Sequence, residues 1–545
     1  MPSSTKVLKS EEREVISEPP GALVAGGMRA WWIALAIIIL LVWGPRLGRS
    51  FWVDEAGTWW MAHDGPIAAI QKTWHWPGQS LLYSVIASLF CLPSGPFREF
   101  VLRIPSLLGV GVACYFLYRL AEQAIGRGAG FITLVLFTLN QVIYYTGTEA
   151  RPYGLALGAV AASCWALYNW VETRDRRYLL PYLIASTLIL YLHYLFLGIF
   201  LVQAIYLAYV FVVERRILKW QHIAGVYAAM LVLALPLLPH LSLLWREGRT
   251  LPFRSESPTL IELVVWVLPP FVIFGLFIAA LLVQMAFPNR GKQSVAPNRA
   301  TLLFLSAWLL LVPALYLVVS MKTKTVVFVD RYMSFSLEAQ ALLLAAAGYL
   351  VFGAKRGRIW AMTAVLLTTA SPLVMLHAWK PGIEDLKPFM RIIQAESKTN
   401  PPPPVFFRSE LPESNSKNWR SGLQGDNHLY APFVVYPMPN RLLPLPFHFT
   451  KEAKDYISDK LDTELRNAPE VIFVTHNASW NPWVVKRMSE AGFVGVKKEQ
   501  PNNFIVIVFK RPKPGETLTP AKDLVADPFQ DEEPVAGNVN QPVEN

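Results

Sequence analysis

Two adjacent carboxylates, Asp54 and Glu55, are the residues of this chain whose type and surroundings best suit chemistry. Tryptophans flank them at Trp52, Trp59 and Trp60, just after the first apolar run of membrane length. Because indole rings favour the lipid–water boundary, this pattern places the acids at that boundary. A carboxylate there is costly unless it is paired or used, and partial burial raises its pKa toward the range of a general base. Asp54 is the predicted base and Glu55 the alternative, because neighbouring loop residues point in different directions.

Long apolar segments must position these acids. The chain has 545 residues, of which 53% are hydrophobic and only 16% charged, whereas soluble domains carry about 25% charge. This composition predicts an all-α polytopic membrane protein. The net charge of +11 does not indicate nucleic-acid binding, because the basic residues are scattered between apolar runs instead of gathered on one face.

Eleven runs are long enough to cross a bilayer as helices. They are residues 29–45, 100–121, 128–146, 153–171, 178–193, 195–213, 221–242, 261–287, 300–320, 333–353 and 359–377. The apolar run Ser80–Leu92 is excluded, because its 13 residues reach only about 20 Å as a helix. We expect it to lie in the membrane interface.

The distribution of basic residues supports this assignment. If Ser80–Leu92 does not span, the basic clusters at 119–127, 174–177, 215–219, 290–299 and 355–358 share one side with the N-terminal tail. That side is the cytoplasm by the positive-inside rule. The sequence therefore predicts a multi-pass protein of the cytoplasmic (inner) membrane, with the N-terminus inside and the C-terminus in the periplasm or outside.

The composition also divides the chain into regions. Residues 1–28 are predicted to be a cytoplasmic tail, 29–380 a membrane domain with a long outer loop at 46–99, 381–512 a small extracytoplasmic α/β domain, and 513–545 a disordered tail. Within 381–512, we expect strands at 405–408, 433–438, 471–475 and 504–510, and helices at 383–395, 451–466 and 481–491.

The same topology brings further polar residues to the outer face from distant loops. They are His75, Glu149, Arg151, Tyr153, His193, Lys322, Lys324, Arg331 and Tyr332. With Asp54 and Glu55, they form the predicted site.

Three stretches resemble the GT-C membrane glycosyltransferases, in particular the bacterial branch similar to protein O-mannosyltransferases and to the aminoarabinose transferase of lipid A. They are Asp54-Glu55, the segment His75-Trp-Pro-Gly-Gln-Ser-Leu-Leu-Tyr83 and the segment Glu149-Ala-Arg-Pro-Tyr153. His193-Tyr194 and Arg331-Tyr332 also look like family features. The family often has Pro-Pro where this chain has Pro77-Gly78.

The resemblance implies transfer of a sugar from a polyprenyl-phosphate donor to an acceptor hydroxyl at the outer leaflet, with inversion at the anomeric carbon. The acceptor would be a glycan, lipid A or another lipid, or a protein. Arg331 has the planar fork that suits phosphate oxygens, with Lys322, Lys324 and Arg151 as further cations. His75, Tyr153, His193 and Tyr332 are then expected to line the substrate site.

Glu149 has several possible roles: it could orient the acceptor, pair with Arg151 or share a divalent metal with Asp54. A metal set of Asp54, Glu149 and His75 would suit Mg, Mn or Zn.

Two other functions remain open at this stage. A transporter or flippase of lipid-linked sugars would have internal repeats and charged residues in mid-span, and the chain shows neither clearly. A polysaccharide polymerase or ligase would concentrate its chemistry in a late, large loop, whereas here the acids come early.

Overall fold

The computed structural model describes residues 22–76, 78–92, 94–215, 219–248, 258–268, 271–286, 297–323, 327–369, 385–408, 411, 428–475, 480–501, 504–522 and 524. Lys324 and most of the predicted tails lie outside these residues. Helices dominate as far as residue 369, and a small sheet follows.

The membrane part consists of a helical bundle and, between α1 and α5, a long loop that contains short helices. In chain order its helices are α1 (Ala22–Leu47), α2 (Val53–Ala62), α3 (Pro66–His75), α4 (Leu81–Ser88), α5 (Arg98–Ala124), α6 (Ala129–Thr138), α7 (Gln141–Gly147), α8 (Tyr153–Thr173), α9 (Leu179–Leu192), α10 (Gly198–Val212), α11 (Trp220–Ala234), α12 (Leu238–Gly248), α13 (Leu260–Val267), α14 (Phe271–Ala286), α15 (Arg299–Thr323), α16 (Asp330–Met333) and α17 (Ser336–Thr369).

Each predicted span is at least partly helical in the structure. Within the described residues, seven helices are long and apolar enough to cross a membrane, and an eighth candidate is the pair α6–α7, which bends by 72°. Helix α9 has only 14 residues, and α17 breaks at Gly353, whose φ of +69° lies in the left-handed region. The number eleven therefore stays a prediction. Helix α1 begins at Ala22, inside the predicted tail.

The outer loop differs from the prediction in one respect. Asp54 and Glu55 were expected in a loop, but they lie in the first turn of α2. Helix α4 has eight residues, about 12 Å long, so Ser80–Leu92 does not span, as predicted.

Helices α5 and α8 approach each other very closely. A Cβ at Gly154 would lie 2.3 Å from the Ser106 carbonyl oxygen, and one at Gly109 would lie 2.4 Å from the Gly154 backbone. Only glycine permits such backbone contact. Because Arg103 lies on α5 and Arg151 lies two residues before the start of α8, this contact fixes their separation.

The C-terminal domain is a five-stranded mixed sheet with helices. Its strands are β1 (Val405–Arg408), β2 (Leu442–Leu445), β3 (Glu470–Thr475), β4 (Val494–Glu499) and β5 (Ile505–Lys510), in the order β2-β1-β3-β5-β4. Strand β1 runs parallel to β2 and β3, and β5 runs antiparallel to β3 and β4. The helices are α18 (Leu386–Glu396), α19 (Ala431–Val435), α20 (Lys451–Asp462) and α21 (Asn481–Glu490).

Three predicted strands and all three predicted helices of this domain are confirmed. The strand at 433–438 is wrong, because Ala431–Val435 forms helix α19 with a proline in its first turn. Strands β2 and β4 were missed. Both are edge strands, where Pro444 and the charged residues of β4 are tolerated and the apolar alternation is lost.

The two faces of the sheet belong to different cores. Val405, Phe407 and Val506 point into the large core that also contains the membrane bundle, whereas Phe406 and Ile507 point into a separate core with α20 and α21. The domain also extends past the predicted boundary at 512, because the Ala521 N–H donates to the Gly495 carbonyl oxygen at 2.8 Å.

Candidate active site

Asp54 and Glu55 point to different sides of α2 because successive helical positions are rotated by about 100°. Glu55 is buried, with 0% of its side chain exposed. Asp54 retains 21% exposure. The structure therefore separates two acids that the sequence could not tell apart.

Glu55 is fully engaged inside the protein. Its Oε2 lies 2.5 Å from Arg103 Nη2 and its Oε1 lies 2.7 Å from Arg103 Nε. Oε1 also accepts the Ala150 N–H at 2.7 Å. Arg103 donates in addition to the carbonyl oxygens of Arg46, Leu47 and Arg49, each at 2.9 Å. Glu55 thus joins α2 to α5 and to the turn before α8, and has no free face for a substrate.

Asp54 meets two arginines from distant parts of the chain. Its Oδ2 lies 3.2 Å from Arg331 Nη1 and 3.7 Å from Arg151 Nη2. The guanidinium of Arg331 also lies over the ring of Trp52, 5.5 Å from the ring centroid. The predicted meeting of acid and basic side chains from distant loops is thereby seen as direct contacts.

Both arginines keep an unused donor. The buried Nε atoms of Arg151 and Arg331 have no hydrogen-bond partner among the described residues. Burial opposes the charge of both side chains, but Asp54 and Tyr153 outweigh it and raise the pKa of each, so both remain cationic. Unsatisfied buried donors are costly, and two cationic ones beside each other suit an anion with several oxygens.

Glu149 forms a second ion pair beside this centre. Its Oε1 lies 2.8 Å from Nη2 of Arg46, at the end of α1, and the Arg46 guanidinium lies 4.2 Å from the ring centroid of Tyr145. Burial is the main reason why the pKa of Glu149 rises to about 7, with the charges of Glu55 and Asp54 adding to it. Of the roles considered for Glu149, pairing with Arg151 is replaced by pairing with Arg46.

An aromatic wall adjoins the two arginines. The His193 ring lies 5.0 Å from Tyr153 and 5.5 Å from Tyr332, between ring centroids. Burial, with a contribution from Arg151 and Arg331, lowers the pKa of His193 to about 3, so the imidazole is neutral. Its buried Nδ1 has no hydrogen-bond partner in the described structure.

Comparisons with known proteins concern the fold and one part of the sequence. Residues 77–241 match the family model of dolichyl-phosphate-mannose-protein mannosyltransferase. The structure of ArnT from Cupriavidus metallidurans bound to undecaprenyl phosphate is similar, with a TM-score of 0.55 and 12% identity over 88% of this chain and 98% of that chain. The structure of ArnT from Cupriavidus metallidurans in the apo state is also similar, with a TM-score of 0.56 and 12% identity over 89% of this chain and 98% of that chain. The fold of this chain is therefore similar to that of ArnT. No curated protein sequence matches it significantly.

Two predicted residues, His75 and Lys322, are not brought into this site by the described structure. His75 is exposed at the end of α3, and its Nδ1 contacts the Gln71 carbonyl oxygen at 2.9 Å. His75 is not the N-cap of α4. Ser80 has that role, because its side chain accepts the Tyr83 N–H at 3.2 Å. Lys322 is exposed at the end of α15 and makes no ion pair with a described carboxylate, and Lys324 lies outside the described residues.

A metal site stays a prediction. Across the residues that the structure describes, no group of three or more His, Cys, Asp and Glu side chains is arranged to hold an ion. Asp54 and Glu149 each face an arginine, and His75 points to solvent. A set of Asp54, Glu149 and His75 would therefore need His75 to leave its present position.

The sequence missed three residues that build the site. Gln79 accepts a hydrogen bond from Arg151 Nη1 at 2.9 Å, and Arg103 and Arg46 pair with Glu55 and Glu149. Arg103 did carry a signal, because an arginine within an apolar span is expensive unless it has a specific partner.

Proposed function

We propose that this protein is an inverting glycosyltransferase that moves a hexosyl or pentosyl unit from a polyprenyl-phosphate donor to an acceptor hydroxyl on the outer face of the cytoplasmic membrane. The observation that carries the proposal is the contact of Asp54 with Arg331 and Arg151, two arginines that each retain a buried, unused Nε–H. A carboxylate and two cations are the groups that such a transfer needs.

The arginines would bind the donor phosphate. When the bond between the sugar anomeric carbon and the phosphate oxygen breaks, its electron pair stays on the phosphate, and negative charge develops there. Positioned donors stabilise such charge by roughly 3–4 kcal/mol each. Arg331 is the more exposed of the two, at 34% of its side chain, and so is the first that an incoming phosphate would reach.

Asp54 would act as the base. The acceptor oxygen forms its bond to the anomeric carbon from the side opposite the phosphate, and its proton passes to an Asp54 carboxylate oxygen. In the structure, this carboxylate is held by the arginines. A donor phosphate competes for the same guanidinium groups, so its binding would release Asp54 to accept the proton only when the donor is in place.

Neighbouring residues would shape the substrate site. The neutral His193, with Tyr153 and Tyr332, offers ring faces and one unused nitrogen beside the arginines, which suits a sugar. The donor class is supported by the solved ArnT structure that contains undecaprenyl phosphate. The acceptor remains a glycan, lipid A or another lipid, or a protein.

The test is a transfer assay with the purified protein in lipid nanodiscs. Labelled polyprenyl-phosphate sugars would be incubated with envelope glycolipids, glycans and proteins, and products identified by mass spectrometry. We expect one sugar to be transferred and Asp54→Asn to lower kcat at least about 100-fold. The matched control is Asp64→Asn, an acid of the same outer loop whose side chain is 45% exposed.

Three outcomes would contradict the proposal. Near-normal turnover by the Asp54→Asn variant would show that Asp54 is not the base. Absence of transfer from every polyprenyl-phosphate sugar would remove the enzymatic function. Movement of labelled donor across liposome membranes without product would instead favour the flippase.

A further inference from the structure

The C-terminal domain holds the segment that leads into α2. Both backbone polar groups of Phe51 are used: its N–H donates to Tyr436 Oη at 2.9 Å, and its carbonyl oxygen accepts the Leu386 N–H at 3.1 Å. The neighbouring Ser50 Oγ accepts the Lys387 N–H at 2.9 Å. Asp54 follows three residues after Phe51, so these contacts fix the start of the turn that carries it.

The same domain is anchored to the outer end of α5. Tyr436 Oη donates to Glu99 Oε1 at 2.8 Å, and Lys387 Nζ lies 2.7 Å from the same oxygen. Arg98 Nη1 donates to the Val435 carbonyl oxygen at 2.6 Å. Tyr436 therefore links Phe51 to α5, and the domain cannot shift without moving both.

A buried histidine of the C-terminal domain lies against the next turn of α2. His428 is fully buried, and its ring lies 5.4 Å from Trp60 and 4.9 Å from Trp76, between centroids. A Cβ at Gly57 would be 2.8 Å from His428 Nε2, and the three nearest atoms to it all belong to His428. Glycine at 57 thus makes room for this imidazole.

His428 acts at this position through its shape. Neither ring nitrogen has a hydrogen-bond partner in the described part of the chain. Burial lowers the pKa of His428 to about 3, so the ring is uncharged at neutral pH. It fills the space between α2 and the turn after α3.

We propose that the C-terminal domain is a positioning part of the transfer site. Tyr436 on Phe51 and His428 on Gly57 hold α2 at both sides of Asp54, and so set the direction of the Asp54 carboxylate toward Arg331 and Arg151. Residues 54 and 57 lie three apart and therefore share one helix face. The inference rests on the proposed function for its kinetic test, and on geometry alone for its structural test.

The kinetic test places a methyl group against His428. Gly57→Ala should lower kcat about tenfold or more, because a displacement near 1 Å at a reacting group costs up to about 100-fold. The donor KM should change less than about twofold, since Arg331 and Arg151 are not moved directly. The matched control is Gly225→Ala on α11, where an added Cβ meets nothing within 4 Å; it should keep wild-type kcat.

A second substitution tests whether the loss comes through His428. His428→Ala alone should lower kcat, because it opens space beside Trp60 and Trp76. The double variant Gly57→Ala/His428→Ala should be clearly less impaired than the product of the two single effects, because the new methyl group occupies space that the imidazole has left. Independent effects that simply multiply would overturn the inference.

Hydrogen exchange of residues 50–62, followed by mass spectrometry, gives the structural test. Exchange should rise several-fold in Gly57→Ala, stay unchanged in Gly225→Ala and fall back toward wild type in the double variant. Wild-type exchange and kcat in Gly57→Ala would overturn the inference. If the wild-type protein transfers no sugar, the proposed function fails, and the exchange pattern alone then supports or refutes the positioning role.

Discussion

Glu55 and Arg103 form a buried ion pair in which Glu55 Oε2 lies 2.5 Å from Arg103 Nη2, with 0% and 3% of the two side chains exposed. Asp54, the adjacent residue, faces the open side of the same helix. One acid is therefore part of the framework and the other is available for chemistry. Replacing the carboxylate by an amide should therefore lower the stability at Glu55 and the activity at Asp54.

Glu55→Gln should destabilise the protein far more than Asp54→Asn. Removing the Glu55 charge leaves Arg103 buried without its counter-ion, which typically costs about 3–5 kcal/mol. Thermal unfolding in detergent should show a clearly lower Tm for Glu55→Gln, while Asp54→Asn stays close to wild type. Equal Tm values for the two variants would contradict the assignment of Glu55 to the framework.

Arg331→Ala should weaken donor binding and also lower kcat, because the same guanidinium would bind the donor phosphate and stabilise its developing charge. The substitution removes the more exposed of the two guanidinium groups at Asp54, and we expect donor KM to rise about tenfold or more, since a charge-assisted hydrogen bond contributes about 1.5–3 kcal/mol. Arg331→Lys should recover only part of the loss, because lysine lacks the planar fork. The control is Arg246→Ala, an exposed arginine near the end of α12. Donor affinity that survives Arg331→Ala would rule out a phosphate role.

Glu149 should make stability depend on pH. Burial raises its pKa from the usual 4.5 to about 7 in the folded protein, so the folded state binds a proton that the unfolded state releases between these values. This contribution, about 3 kcal/mol, is fully present below pH 4.5 and is lost as the pH rises through 7. Unfolding measured from pH 5 to pH 8 should show this decline in wild type.

The matched variant for this pH effect is Glu149→Gln, which cannot ionise and should remove most of the decline. A pH dependence identical to that of wild type would show that another group is responsible. As the pH rises through about 7, Glu149 loses its proton and should form an ion pair with Arg46.

His75→Ala should leave transfer and its response to chelator unchanged. His75 is exposed, and its Nδ1 contacts the Gln71 carbonyl oxygen, so the folded chain does not hold it beside Asp54. Transfer rates with and without EDTA, for wild type and His75→Ala, check this directly. If EDTA stops transfer and His75→Ala raises the metal concentration needed to restore it, the predicted set of Asp54, Glu149 and His75 is correct.

Much of the site was predictable from the side of the membrane on which each loop is expected to lie. The positive-inside rule placed Asp54, Arg151 and Arg331 on one face without any structure, and the structure shows them in contact. The rule could not say which adjacent acid faces the cleft, because that depends on where α2 begins. The partners Arg103 and Arg46 were missed because the predicted topology does not say which individual side chains pair; they lie 48 and 103 residues from the acids that they bind.

The strands of the C-terminal domain were predictable only where they are central in the sheet. Strands β1, β3 and β5 are continuous apolar runs, as expected for strands covered on both faces. Residues 433–435 are apolar for another reason: Phe433 packs against Phe389 and Phe407 as part of a short helix. Hydrophobicity alone does not distinguish these two cases.

The sheet face formed by Val405, Phe407 and Val506 shares its core with the membrane bundle, and Val53 of α2 lines the same apolar cavity as Phe407. A secreted fragment made of residues 385–522 alone would leave that face bare to water and would tend to aggregate. Biochemical dissection of this enzyme candidate, including the raising of conformation-specific antibodies, therefore calls for the whole chain in a lipid environment.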